Sequence, residues 1–171
     1  MTDNTTEKAS ETAGTQTSVG GKYLTFSLEG EEYGLEILKV QEIMKMVDVT
    51  KMPRAPEFIR GVINLRGKVI PVVDLRLKFE MEKLENTNKT CIIVMQVVSG
   101  DSAVTMGIIV DEVSEVLDIV ANEIEPAPTL GTQVDISFIQ GIAKTKGSVK
   151  ILLNIDKALS DKDISAVRSV A

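Results

Sequence analysis

The 171 residues predict a mainly β protein made of two small sheet units in tandem. Three observations predict it. The sequence repeats itself: residues 58–75, FIRGVINLRGKVIPVVDL, align without a gap on residues 138–155, FIQGIAKTKGSVKILLNI, with five identities in 18 positions. Ordinary composition would produce about one. The apolar residues come as β-branched runs and alternations rather than at helical spacing. Glycine-containing turn signals separate those runs at short intervals.

The first residues, MTDNTTEKASETAGTQTSVGG, are rich in Thr, Ser and Glu. They bury too little to offset their ordering entropy, so residues 1–20 are expected to be a disordered tail. In KYLTFSLEGEEYGL, Leu24, Phe26 and Leu28 alternate with Tyr23, Thr25 and Ser27, and EGEE supplies a turn. EILKVQEIMKM suits a helix through Ile37, Val40, Ile43 and Met44. Its counterpart VDEVSEVLDI is more β-branched, so the reading is a strand with a bend. Pro56 and Asp135 each precede a glycine by a few residues and are expected to open single turns of helix in PEFIRG and DISFIQG.

GVIN and KVIPVVD then read as two strands joined by the turn NLRG, with Gly67 at the φ > 0 position. KTKG at 144–147 is the same device. A strand follows Gly67, whereas a phosphate cradle would want a helix N-terminus there. Arg66 is left at the hairpin tip, expected to reach outward. Asp74 and Asn154 stand where N-caps would, before LRLKF and IDKAL. TCIIVMQVV and AVTMGIIV are a further hairpin around SGDS. SDKDISAVRSV reads as a terminal helix, with Ser160 as N-cap and Ile164 and Val167 on one face.

The repeat extends upstream, where GLEILKVQEIM (34–44) aligns with GIIVDEVSEVL (107–117), pairing Val40 with Val113 and Glu42 with Glu115. The second copy is seven residues longer between Gly107 and Phe138. One domain over 21–171 is expected. One unit is built around 34–90 and the other around 107–155, with terminal segments crossing over. Two copies are too few for a solenoid.

Composition narrows the function classes. There is no histidine, which removes the commonest general base and metal ligand, and with them Ser–His and Cys–His nucleophile pairs. Cys91 is the only cysteine, so no intramolecular disulfide forms; it reads as a small buried hydrophobe in a reducing compartment. Acidic pairs such as Glu31–Glu32 and Asp161/Asp163 read as a turn and a helix start. The net charge of −6 argues against nucleic acid. Apolar runs reach about five residues against the ~20 that span a bilayer. No signal-peptide core is evident, and a cytoplasmic location is expected. No cofactor or metal is expected. A binding module is the simplest reading, offering hairpin tips, sheet edges and the groove between units. If extended, KVQEI and EVSEV put valines on one face and acidic residues on the other, an apolar stripe suited to a helix. The same valines also read as core, Glu42 as an exposed strand residue and Arg66 as a solvated turn charge.

FIRGVINLRGKVIPVVDLR, preceded by EEYGLEILKVQEI and followed by GIIVDEVSEVL, resembles the bacterial chemotaxis coupling proteins of the CheW family. The similarity covers the chain from about Lys22 onward. It implies two five-stranded, SH3-like β-barrels packed around a shared core, with short helices and a C-terminal helix. It implies a non-catalytic adaptor that links the cytoplasmic tips of chemoreceptors to the histidine kinase CheA at membrane-associated arrays, with no direct membrane insertion. In that family the receptor tip, a helical hairpin, docks between the subdomains. Val40, Glu42, Ile43, Gly61, Arg66, Val113 and Val116 fall at positions tied to that contact. The resemblance assigns the contact with the kinase's regulatory domain to no particular residues here, and it allows copies to associate in rings. The competing expectation is the coupling-like regulatory domain of a chemotaxis kinase. Against it stand the initial methionine, the polar tail and the lack of an ATP-binding segment. A coupling domain fused to a receiver and an unrelated carboxylate enzyme are further competitors.

Overall fold

A hairpin opens the described chain, β1 (Gly21–Leu28) and β2 (Glu31–Glu36). The computed structural model describes residues 20–128, 136–145 and 147–170. Glu29 and Gly30 make the two-residue turn at φ 53° and 83°, a primed geometry whose twist matches that of the strands. A 3-10 turn at Ile37–Lys39 carries the chain out of this sheet. Next come β3 (Val40–Lys45), β4 (Ile59–Leu65), β5 (Lys68–Asp74), β6 (Cys91–Ser99) and β7 (Ser102–Val110). They form a five-stranded sheet in the order β3-β6-β7-β5-β4. The chain then returns to the opening hairpin through β8 (Glu112–Ile119), β9 (Ile124–Glu125), β10 (Ile139–Thr145) and β11 (Ser148–Leu153). The result is a six-stranded sheet in the order β8-β1-β2-β11-β10-β9.

The fold is therefore mainly β and two-sheeted. The sixth strand, β9, has two residues and pairs at Ile142; in the other sheet the equivalent Val62 makes a single bridge to Thr50. Each sheet holds one parallel pair, at matching places in the repeat: Val72–Gly107 between β5 and β7, and Leu152–Gly34 between β11 and β2. Residues 34–36 thus lie in the six-stranded sheet and 107–110 in the five-stranded one.

Three short helices complete the fold: α1 (Leu75–Lys78), α2 (Ile155–Ala158) and α3 (Asp161–Val170). Asp74 caps α1 as expected, accepting the Arg76 and Leu77 N–H groups at 3.0 and 3.4 Å. Asn154 stands at the same position before α2, but its side chain makes no capping bond; its backbone carbonyl accepts from Lys157 and Ala158 instead. Ser160 and Asp163 cap α3 reciprocally, at 2.9 and 3.1 Å.

The helical turn expected at Pro56 is a single i→i+3 turn, Ile59 N–H to the Pro56 carbonyl at 3.0 Å. Cross-strand bonding explains the difference. The Phe58 carbonyl accepts the Asp74 N–H at 2.7 Å, which draws the chain into β4 before a second turn forms. Phe138 and Asn154 repeat this bond, and Ile139 bonds to Ile136 in the matching turn; Asp135 lies outside the described residues. Gly61 accordingly sits in β4 and ends no helix.

Most strands are buried on both faces, which is why the sequence shows runs where alternation is the commoner pattern. In β6, Ile92 and Val94 face the interior of the five-stranded unit, in a cluster with Ile63, Ile70, Val72 and Ile109. Ile93, Met95 and Val97 face a central core shared with Leu24, Phe26, Leu28 and Leu35 of the other sheet. In β1, Tyr23 turns to the interior cluster of its own unit, and Thr25, on the same alternating face, is fully buried with its hydroxyl donating to the Glu115 carbonyl at 2.8 Å. Ile164 and Val167 of α3 enter the shared core, which fixes the face this helix buries. An aromatic row, Phe26–Tyr33–Phe79–Phe138, runs through it with centroids 5.1 to 6.4 Å apart. Cys91 is half-buried at its margin. Each large side chain buried there contributes about 1.5–3 kcal/mol.

Two aspartates tie the sheets together. Asp111, where the chain leaves β7, accepts two hydrogen bonds from Arg76 of α1 at 2.7 and 2.8 Å, and the Glu29 N–H of the β1–β2 turn at 2.8 Å. Asp156 of α2 pairs with Lys39 of the crossover turn at 2.7 Å and accepts the Val98 N–H of β6 at 2.8 Å. Arg76 and Asp156 are equivalent in the repeat, so the cation stands on the helix in one tie and on the crossover in the other.

Arg76 and Asp111 are 12% and 19% exposed, so Arg76→Met leaves a largely desolvated carboxylate without its cation. The expected loss is about 2–4 kcal/mol, read from the urea midpoint at constant m-value. Lys22→Ala, which breaks the exposed pair with Asp118, is expected to cost under about 1 kcal/mol. Equal losses in the two variants would contradict this account.

Burial pushes the Asp163 carboxyl up, but Lys78 and the Ser160 groups together hold it below the usual aspartate range. The stabilisation by this folded carboxylate is therefore present above the ordinary aspartate value and is lost as pH falls through the lowered one. The Asp163→Asn variant is expected to lose less stability on acidification than the parent, measured by thermal melts across the acid range.

Candidate functional site

The β4–β5 hairpin is closed by Arg66 and Gly67 alone, with Leu65 paired to Lys68. Both residues have positive φ, 50° and 87°, so the turn is a primed one in which glycine meets the steric demand at the second position. Asn64 Oδ1 accepts the Gly67 N–H at 2.8 Å and stiffens the tip.

Arg66 does not extend freely from that tip as expected. Its guanidinium turns onto β3 and donates two hydrogen bonds to the Glu42 carboxylate, at 2.5 and 3.1 Å. β3 and β4 are the two edges of the five-stranded sheet, so this contact shows a sheet curled until hairpin tip and opposite edge meet. The bidentate match of planar guanidinium and carboxylate is the reason an arginine serves here. Hydrogen bonding to Arg66 holds the Glu42 carboxyl below its usual range, and the same bond raises the guanidinium further.

A bulge shapes β3. Val40 pairs with Met95 and Glu42 with Val94, leaving Gln41 as the extra residue. β8 repeats it: Val113 pairs with Phe26 and Glu115 with Thr25, leaving Ser114 extra. Strict alternation would put Val40 with Glu42 and Val113 with Glu115; the bulges instead place each valine and its glutamate on opposite faces, as the valine stripe requires. Val40 and Val113 are half-buried against the shared core, whereas Val116 is exposed. Glu42 is half-buried beneath Arg66 and Glu115 is exposed. Ile43 and Val116 occupy equivalent exposed positions on the two edge strands, at 42% and 48%.

Gly61 serves the backbone. Its φ is 143°, and a Cβ there would lie 2.0 Å from the Thr50 carbonyl oxygen, where Thr50 and Val62 exchange two hydrogen bonds at 2.9 Å. Of the residues singled out from sequence, Glu42 and Arg66 are thus in direct contact. Val40 and Val113 share one core, Ile43 and Val116 lie beside them on the surface, and Gly61 is buried behind the hairpin.

Residue-by-residue reading missed a pattern in the exposed apolar residues. Val47 and Val120 are equivalent in the repeat and both exposed, as are Val69 and Val149. With Ile43 and Val116 these make three matched pairs at positions that core packing does not require. The repeat alignment carried the signal, since Val69 and Val149 are among its identities. Among the described residues, no group of three His, Cys, Asp or Glu side chains is placed to hold a metal ion, and no helix is long and apolar enough to cross a membrane.

Fold and surface together define a duplicated, two-sheet β protein that presents a hairpin-tip ion pair and matched apolar residues. The CheW-like domain model matches residues 22–163, and the chain belongs to the CheW family. Chemotaxis protein CheW of Klebsiella aerogenes is 40% identical over 154 residues, covering 90% of each chain. Its namesake in Bacillus subtilis is 35% identical over 147 residues, covering 85% of this chain and 90% of that protein. The crystal structure of the scaffolding protein TtCheW from Thermoanaerobacter tengcongensis superposes with a TM-score of 0.72 at 41% identity, covering 83% of this chain and 94% of that one.

The lowered Glu42 value sets the acid limit of its ion pair. The paired carboxylate is present above the ordinary glutamate pKa of about 4.3 and is lost as pH falls through the lower folded-state value. A carboxyl NMR titration is expected to place the Glu42 midpoint below that of an exposed glutamate, and Arg66→Ala is expected to bring it back up. A midpoint unmoved by that substitution would show that the pair does not persist in solution.

Proposed function

We propose that the chain is a chemotaxis scaffold that couples chemoreceptors to the histidine kinase CheA, working by geometry and without chemistry of its own. Membership of the CheW family supports the scaffold role. The receptor contact is best supported by one observation: the Glu42–Arg66 pair and exposed Ile43 stand on the edge of one unit, and Val116 stands at the matching place on the other. A receptor tip laid there meets apolar side chains on both edge strands and a rigid polar group at the hairpin. Val40, Val113 and Gly61 support that surface from beneath. The adaptor acts in the cytoplasm, at membrane-associated receptor arrays.

The matched pairs Val47/Val120 and Val69/Val149 support a second kind of contact. Surfaces repeated on both units allow one unit to pack on the opposite unit of a related protein, head to tail. The kinase's regulatory domain and further copies of this chain would associate in that way, and rings follow where the rotation closes. Receptor shifts then bias the kinase between two states through differential contacts.

Exposed and half-buried positions separate binding from folding. Ile43→Glu and Val116→Glu are expected to reduce co-sedimentation with receptor-bearing membranes about tenfold while leaving the melting temperature unchanged, because each places an unpaired charge in the contact and none in the core. Val40→Glu is expected to lower both. Full co-sedimentation by the two exposed variants would refute the receptor assignment.

A further inference from the structure

We propose that a cleft beside β4, away from the contacts proposed above, binds a small phosphate monoester, and that Arg60, Lys51 and Lys83 hold its phosphate. The cleft is open and measures about 590 Å³, a size suited to a small organic ligand. Its cations come from three segments: Lys51 from the connection between β3 and β4, Arg60 from β4, and Lys83 from the connection between α1 and β6. Glu57 is its one carboxylate among the described residues, and no residue of the receptor or head-to-tail contacts lines it. The same three cations also line a smaller hollow of about 250 Å³, with Asp48 as its carboxylate; Val47 lies in that smaller hollow only.

Arg60 points to an oxyanion. Its side chain is 19% exposed, and Nη1 donates to Asp74 Oδ2 at 2.8 Å. Asp74 is buried and spends its other oxygen on the α1 cap, so the guanidinium is fixed from behind. Nε and Nη2 donate to no acceptor among the described residues, yet neither is sealed from solvent. These are the two nitrogens with which Arg76 grips Asp111, the side-on fork that matches a pair of oxyanion oxygens. Lys51 and Lys83 make no ion pair among the described residues, in a chain of 25 acidic and 19 basic residues.

The repeat shows that the fold does not require these charges. Gln140 is the equivalent of Arg60. Glu125 pairs with Ile142 as Thr50 pairs with Val62, so Pro126 stands where Lys51 does. The second unit builds the same bridge with neither cation. The charge count then selects the ligand. A carboxylate carries one charge, and the arginine fork alone satisfies it. A phosphate monoester carries about −1.5 to −2 at pH 7 on three acceptor oxygens, enough for the arginine and both lysines together. Met52 and Leu77, half-buried in the same cleft, offer apolar surface to the ester group.

The test titrates the full, nitrogen-15-labelled chain with phenyl phosphate and, as a singly charged counterpart, with benzoate. The amide signals of Lys51, Arg60 and Lys83 are expected to shift with phenyl phosphate, and benzoate is expected to bind about tenfold more weakly. Lys51→Ala combined with Lys83→Ala is expected to weaken phenyl phosphate about tenfold at unchanged melting temperature. Lys157→Ala combined with Lys162→Ala removes the same charge elsewhere and is expected to leave the affinity as it is. Equal binding of the two ligands, equal behaviour of the two double variants, shifts confined to other amides, or no binding of phenyl phosphate up to about 10 mM would overturn the proposal. Tighter binding of a short phosphoserine peptide than of phenyl phosphate would overturn the small-molecule assignment. The measurement needs neither receptor nor kinase, so its outcome stands apart from the coupling role.

Discussion

Two half-buried carboxylates, Asp111 and Asp156, set how the sheets stand to one another. The shared core supplies the larger free energy, but apolar contact is non-directional and tolerates sliding. A carboxylate that must accept an N–H from the opposite sheet's hairpin and a cation at once is satisfied in one arrangement only. Asp111 does so with Glu29 N–H and Arg76, and Asp156 with Val98 N–H and Lys39. Losing the arrangement leaves desolvated polar groups unpaired, at about 1–3 kcal/mol each. The edges β3 and β8 are thereby held in place before any partner arrives, which lowers the ordering cost of binding.

The duplication gives the rest of the molecule its logic. Each half contributes a strand pair to the sheet built mostly by the other, so neither half completes a core alone. β1 and β2 pair with β8 and β11, and the main chain leaves that sheet at Ile37–Lys39 and returns after Val110. Both copies keep the bulge, which sets Val40 and Ile43 on one face of β3 and Val113 and Val116 on one face of β8. The Glu42–Arg66 clasp belongs to the five-stranded unit, as does the cleft lined by Lys51, Arg60 and Lys83.

Much of this was legible in the residues. The repeat, the primed turn at Gly67, the Asp74 and Ser160 caps and the inward face of α3 follow from local rules that act within a few residues. The single turn at Pro56 forms, but its end is not at Gly61, because the Phe58 carbonyl bonds Asp74, 16 positions on, and draws the chain into β4 first. The valine and acidic faces expected of KVQEI exist only because a bulge separates Val40 from Glu42, and nothing in VQE marks where the extra residue will sit. Asn154 occupies a cap position without capping, since the carbonyl of its own backbone does that work.

By itself the sequence determined the two-unit β architecture, the family, and which residues deserve notice at the hairpin and the edge strands. Period and turn chemistry are short-range properties, and each is written out in adjacent residues. Only the tertiary structure decided that Arg66 clasps Glu42, that Gly61 makes room for the Thr50 carbonyl, and that Lys51, Arg60 and Lys83 line one cleft. Those relations join positions from 9 to 32 residues apart, and distance along the chain carries no information about which side chains a curled sheet brings together.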